Sequence, residues 1–383
     1  MRDGILREVG PTRRVENLAP AREAIEIDAA GRVVMPGFVD SHTHLLFPPP
    51  GAPSGDLASS SRIVNTTTAS QLRLRAARYL QAMARHGTTT VEVKTGSGAG
   101  VHEEMKMLRV LSELKHDLLD VVPTFLFRPP PISFDAEAAS LENWKWVRAE
   151  LLPRISQRRL SEFADLQWDD FTESLWQGCP SRAAWLTGYF QVARSLGFRC
   201  KLHADTGSMA AAAIASLQYR MASIDHLEYA TETEVSVLSR SEGIATLLPA
   251  ASFHSGKPYA PGRELIDAGA AVALATNFNT RETPSLSMQT AIALACEHMQ
   301  LTPAEAVSAA TINGAYALDR GAAIGSLECG KSADLLLLNV SDYRELAHCL
   351  GTNLVHTVMK RGEIIYREGE VRPLASDELP PAW

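Results

Sequence analysis

A chain of 383 residues has room for a barrel of about 250 residues and a smaller unit besides. Its 45% apolar and 21% charged residues are soluble-globular values, and a net charge of −7 with no basic stretch to offset it excludes a large nucleic-acid footprint. No apolar run reaches membrane-span length, MRDGILREVG lacks the apolar core of a signal peptide, and Cys179, Cys200, Cys296, Cys329 and Cys349 form no CxxC pair. Free thiols in a reducing compartment are expected. The chain therefore reads as a cytoplasmic protein with a small-molecule substrate and neither nucleic-acid nor membrane partners; a homodimer is left open.

In chain order, GILREVG and EAIEIDAAGRVV read as small strands with turns. VVMPGFVDSHTHLLF follows, an apolar strand with polar residues at alternate positions. The helix RLRAARYLQAMARHG ends at Gly87, a glycine suited to helix termination, and the β-branched strand Thr88–Lys94 comes next. The rhythm then repeats. EEMKMLRVLSELK leads to VVPTFLF, ENWKWVRAELLPRI to EFADLQW, RAAWLTGYFQVARSLG to FRCKLHA, and AAAIASLQYR to SIDHLEY. ETEVSVLSRSEG leads to IATLLPA and GRELIDAGA to AVALATNF. A last helix begins at a capping box, Thr302 to Glu305, with Pro303 at its first position.

Eight short strands alternating with helical periodicity predict an α/β fold, a (β/α)8 TIM barrel. A doubly wound sheet would more often carry a phosphate loop after its first strand. GSGAG at Gly96–Gly100 follows the second strand, lacks GxGxxG spacing and reads as a flexible barrel loop. Beyond the barrel, GAAIGSLECGKSADLLLLNVSDY and HTVMKRGEIIYREG read as strands and hairpins that pair with the N-terminal strands. The expected division is a barrel over residues 35–324 and a small β domain from both chain ends, 1–34 and 325–383.

His42 and His44 are two apart on a strand, so their side chains share a face near its C-terminal end, where barrel active sites form. Asp40 shares that face and is read as a carboxylate orienting a ligand imidazole. His203 closes the fifth strand, His226 the sixth, and the eighth ends in Asn277. Any one histidine alone is more often a core or loop residue. Their joint placement at strand tops points to a catalytic metal centre with a position left for water. His102 and His254 are placed in loops that could approach a substrate; they, with His86, His116, His298, His348 and His356, read as exposed or structural. Lys94 reads as a solvated or loop-anchoring lysine, with a carbamylated, metal-bridging lysine as the alternative.

The stretches PGFVDSHTHLLF, GTTTVEVKTGSG, EEMKMLRVLSELK, TFLF, KLHAD, SIDHLE, LLPAASF, LATNFN and GSLECGKSADLLLLN resemble the amidohydrolase superfamily, and within it most closely the imidazolonepropionase branch. VEVKTG, LLPAASF and LATNFN are distinctive of the branch; HxH and GSLECGKSADL mark the superfamily alone. The resemblance implies a metal-dependent hydrolase that opens a small cyclic amide with metal-activated water. It implies one divalent metal, zinc in preference to iron, on His42, His44 and His203, and a catalytic His226 that polarises the carbonyl or holds water.

The departures are specific. The branch places an aspartate, both ligand and base, where Asn277 stands, and an amide oxygen touches a metal only weakly and takes no proton. It carries a glutamate at Thr206, a substrate-contacting histidine at Pro129, and a glycine-rich loop where Pro48–Thr68 holds PPPGAPSG and a Ser/Thr run. The chain also starts late against the branch, so a reduced N-terminal part of the β domain is expected. The carboxylates available as a base are Glu228, which shares the face of His226 if the strand persists, Asp225, which should face away from it, Asp205 and Glu92. Two readings stand: a hydrolase of a cyclic amide, amidine or lactam, or a metal- or ligand-binding homologue with weak or no turnover.

Overall fold

The computed structural model describes residues 1–47, 57–96, 100–128, 145–168, 181–204 and 218–370. Asp205, Thr206, Pro129, Cys179, the centre of GSGAG and residues 48–56 lie outside them.

Eight parallel strands form one sheet in sequence order: β2 (Phe38–Asp40), β3 (Thr88–Lys94), β4 (Asp120–Phe127), β5 (Phe163–Trp168), β6 (Arg199–Ala204), β7 (Ser223–His226), β8 (Ile244–Leu247) and β9 (Val272–Leu274). Backbone bonds beyond the strand ends bring first and last together: Asn277 N–H donates to the His42 carbonyl at 3.0 Å, and His44 N–H to that of Phe278 at 2.8 Å. This is the (β/α)8 barrel that the strand–helix rhythm predicts.

Strand alternation decides what faces where. On β3, Val91 and Val93 point outward and pack with Leu72, Ala76, Leu80 and Met83 of the helix Ala69–Arg85. That helix starts at a capping box in which Thr68 Oγ1 accepts from Gln71 N–H at 3.2 Å. The alternate β3 residues Thr90, Glu92 and Lys94 point to the barrel axis. Buried polar residues from other strands join them there, among them Thr124, Asp165, Lys201, Asp225 and Thr246. The axis of this barrel is thus lined with charge near the histidines.

The second sheet is antiparallel, in the order β1 (Val34–Pro36), β10 (Leu335–Leu338), β11 (Val355–Lys360) and β12 (Glu363–Arg367), with Met35 opposite Leu336 and Leu336 opposite Val358. It draws on residues near both chain ends, as expected. The N-terminal share is smaller than the sequence suggests. GILREVG makes only isolated bridges, Arg2 to Ile5 and Ile5 to Ser332. EAIEIDAAG forms no strand; Ile25 is 93% exposed, so it has no buried apolar face to hold a strand in register. Lys360 ties this sheet to the barrel, with Nζ 2.6 Å from Asp334 and 2.6 Å from Asp120 at the start of β4; Arg361 also pairs with Asp120.

Helix Pro303–Ser308 begins at the Thr302–Glu305 capping box. The helices Leu57–Thr66, Met288–His298 and Pro249–Ser255 escape the sequence reading; the last follows β8 directly, with proline at its first turn. Among the described residues no helix is long and apolar enough to cross a membrane, and Cys200, Cys296, Cys329 and Cys349 are free.

Candidate metal centre

His42 and His44 follow β2 and His203 lies on β6. Their rings converge, with centroids 5.2 Å apart for His42–His44, 4.4 Å for His42–His203 and 5.7 Å for His44–His203. One nitrogen from each lies within 4.8 Å of the others. All three rings are buried, and burial, the largest influence, holds each pKa well below the usual histidine value, so they are neutral imidazoles, the form that ligates metals. Phe47 stacks on His44 at 4.7 Å, and Arg128 lies over Phe47 at 4.9 Å, covering one side of the cluster.

Whether these residues fit a metal is tested by their hydrogen bonds. His42 Nε2, His203 Nε2 and His44 Nδ1 are buried with no hydrogen-bond partner, a costly state for polar atoms that coordination would relieve. The opposite nitrogen of His42 is occupied: Nδ1 lies 2.8 Å from Asp225 Oδ2. His203 Nδ1 lies 2.9 Å from Asp165 Oδ2, at an angle too bent for a full hydrogen bond. A carboxylate only accepts, so Asp225 fixes the Nδ1–H tautomer of His42 and leaves its Nε2 with a lone pair toward the cluster. The donors fit a divalent metal.

Asp40 is not that orienting carboxylate. It accepts from Thr276 N–H at 3.0 Å and Thr276 Oγ1 at 2.6 Å, anchoring the segment that carries Asn277. Burial pushes its pKa up to about 7. Asp225 does not turn from the centre either; its place on the axis face of β7, opposite His203 in the register, points it at His42. His226 reaches the centre because the backbone leaves β geometry, with φ of 84° at His226 and 70° at Leu227. Its ring lies 5.4 Å from those of both His42 and His203. Glu228 arrives by the same kink rather than by a continued strand, with Oε1 3.0 Å from His226 Nδ1 and Oε2 buried without a partner.

Asn277 also takes a left-handed conformation, φ 53°, and its Nδ2 donates to Thr283 Oγ1 at 3.4 Å. Lys94 is neither solvated nor a loop anchor. It is fully buried, with Nζ 2.6 Å from Asp165, 2.8 Å from Asp225 and 3.3 Å from Glu92. Burial opposes its charge, but these carboxylates raise its pKa above the usual lysine value. Burial likewise lifts the carboxyl of Asp225, yet Lys94 and His42 outweigh it and hold Asp225 well below the carboxylate range. Lys201 pairs with Glu92 at 2.8 Å. Asp165 and Lys201 went unread in the sequence, although Lys201 stands two residues before His203 and so shares its face. His102 and His254 lie in the helices Val101–Glu113 and Pro249–Ser255, not in loops.

Two cavities, of about 410 Å³ beside Cys200 and Met221 and about 360 Å³ beside Thr90 and Asp120, lie at the N-terminal strand ends, away from His42, His44, His203 and His226. In barrels of this kind the chemistry sits at the opposite face.

The model of the amidohydrolase family matches residues 52–366. The chain belongs to the amidohydrolase family. This amidohydrolase is 37% identical to imidazolonepropionase of Parabacteroides distasonis, over 95% of this chain and 90% of that protein. It is 35% identical to imidazolonepropionase of Solibacter usitatus, over 96% and 90%. Its fold matches 5-methylcytosine deaminase from Klebsiella pneumoniae, liganded with phosphonocytosine, with a TM-score of 0.74 and 18% identity over 98% of this chain and 96% of that one. It is an amidohydrolase-fold enzyme whose buried histidine cluster is suited to a metal ion.

Proposed function

We propose that this amidohydrolase cleaves a non-peptide C–N bond in a small cyclic amide of the imidazolonepropionate type, at one divalent metal held by His42, His44 and His203. One observation carries the reading: three buried imidazoles gather unpartnered nitrogens at a strand-top cluster. Imidazole donors suit zinc ahead of iron. Such an ion, when bound, supplies a Lewis acid for a carbonyl and lowers the pKa of water.

The chain's residues do the rest. Asp225 and Asp165 orient His42 and His203. Asn277 flanks the centre as a neutral, weak ligand. Its amide cannot take a proton, so proton handling falls to the His226–Glu228 pair. Glu228 holds His226 by Nδ1 and keeps Oε2 free to carry a proton toward a departing nitrogen.

The test is metal analysis of protein purified without chelator, together with an assay of imidazolonepropionate and related cyclic amides, on the native chain and His42→Ala. Metal and turnover are expected in the native chain, with metal lost in the variant. Metal content that is low throughout, or equal in both, overturns the reading. A second reading, a binding homologue with weak or no turnover, is favoured by Asn277 standing where the branch has a carboxylate; metal without turnover on any cyclic amide would establish it.

A further inference from the structure

The barrel axis offers a second set of metal-ligating atoms. Asp165, His203 and Asp225 present atoms that all lie within 4.8 Å of one another. Asp165 Oδ1 and His203 Nδ1 are buried there without a hydrogen-bond partner. Lys94 already stands among these carboxylates, its Nζ 2.6 Å from Asp165 Oδ2 and 2.8 Å from Asp225 Oδ2, with Glu92 at 3.3 Å. Lys94, Glu92, Asp165 and Asp225 are all 0% exposed, so no water or salt can neutralise the carboxylates in its place.

We propose that Lys94 is a built-in monovalent cation: its ammonium fills a second cation position between Asp165 and Asp225 and so limits the centre to one metal ion. The proposal rests on the histidine cluster holding metal, as proposed above. Two carboxylates facing each other in a dry pocket repel and need a counter-charge. Lysine supplies one as a point charge that donates hydrogen bonds and accepts none. It thereby keeps Asp225 as an acceptor toward His42 Nδ1 and Asp165 beside His203 Nδ1, and prevents the capture of either carboxylate as a ligand. The opposite role, a carbamylated lysine bridging two metals, needs a neutral amine with a lone pair to attack carbon dioxide. Three carboxylates within 3.3 Å hold this nitrogen as an ammonium.

The experiment is a count of cobalt ions bound per chain after equilibrium dialysis, with electron paramagnetic resonance to detect a coupled pair, for the native chain, K94Q and K94Q/D165N. Two-metal sites hold their ions about 3.5–4 Å apart, close enough to couple. One ion is expected in the native chain, two with a coupled signal in K94Q, and one again in the double variant. A K94Q that folds, by circular dichroism and thermal melting, and still binds one ion overturns the proposal, as does a native chain that binds two. If K94Q does not fold, K94R keeps a cation in place; one ion there supports the proposal and two overturn it. A native chain that binds none removes the metal reading itself, whereas a count of one in both native chain and K94Q removes this inference alone.

Discussion

Asp225 Oδ2 lies 2.8 Å from His42 Nδ1, and both side chains are fully buried. The same oxygen lies 2.8 Å from Lys94 Nζ, so one carboxylate couples an imidazole of the metal cluster to the charge on the axis. The imidazole cannot turn without breaking that bond.

Asp225→Asn should therefore weaken metal binding by about 10–100-fold, the usual cost of losing a partner behind a ligand imidazole. Competition with a chromogenic chelator reads the change. An unaltered affinity in a folded variant would mean that Asp225 does not orient His42.

Asn277→Asp should raise turnover of any accepted cyclic amide at least about tenfold, by restoring a group that can take and return a proton. Metal should also bind more tightly to the added anion. The comparison is kcat at matched metal occupancy. A native form already as fast as the variant would place all proton transfer elsewhere.

Glu228→Gln is the complementary change. The amide still reaches His226 but cannot carry a proton. Turnover should fall by about 10²–10⁴-fold while metal content stays unchanged. Equal kcat in the two proteins would remove Glu228 from the chemistry.

Lys360→Met should destabilise the fold by about 3–5 kcal/mol near neutral pH, because it leaves Asp334 and Asp120 without their buried partner. Urea titration measures it. The pH dependence follows from Asp120. Burial raises its pKa, but Lys360, with His116 and Arg361, outweighs that and sets it below the ordinary carboxylate value. Its stabilising contribution is thus complete above about pH 3.9, the unfolded value, and is lost as the pH falls through the lower folded value. The gap between native chain and variant should narrow as the pH drops below about 4. A gap that stays constant down to the onset of acid unfolding would contradict the pairing.

The eight strands and the convergence of His42, His44 and His203 were legible because strand periodicity is two and strand tops share one end of a barrel. The same rule reaches Lys201 and Asp225, yet a lone charge on an apolar strand resembles a solvated residue until its counter-charges from other strands are known. Lys94 was misread for that reason. Its partners Asp165 and Asp225 lie far along the chain, and only the register brings them together. The kink at His226 was not legible, since the enrichment of Asn, Asp and His at left-handed φ is too weak a mark to place one. Asp40 was assigned to the wrong partner because alternation gives a face but not a depth along it.

The backbone bonds joining His42 to Asn277 and His44 to Phe278 have a kinetic consequence. They unite the first and last repeats of the barrel, the contacts of longest loop and therefore of latest entropic reward during folding. His42 and His44 gain their fixed places only when that seam closes. Metal capture should then trail secondary-structure formation in refolding, and an ion, once bound, would act as a latch on the seam, slowing its reopening.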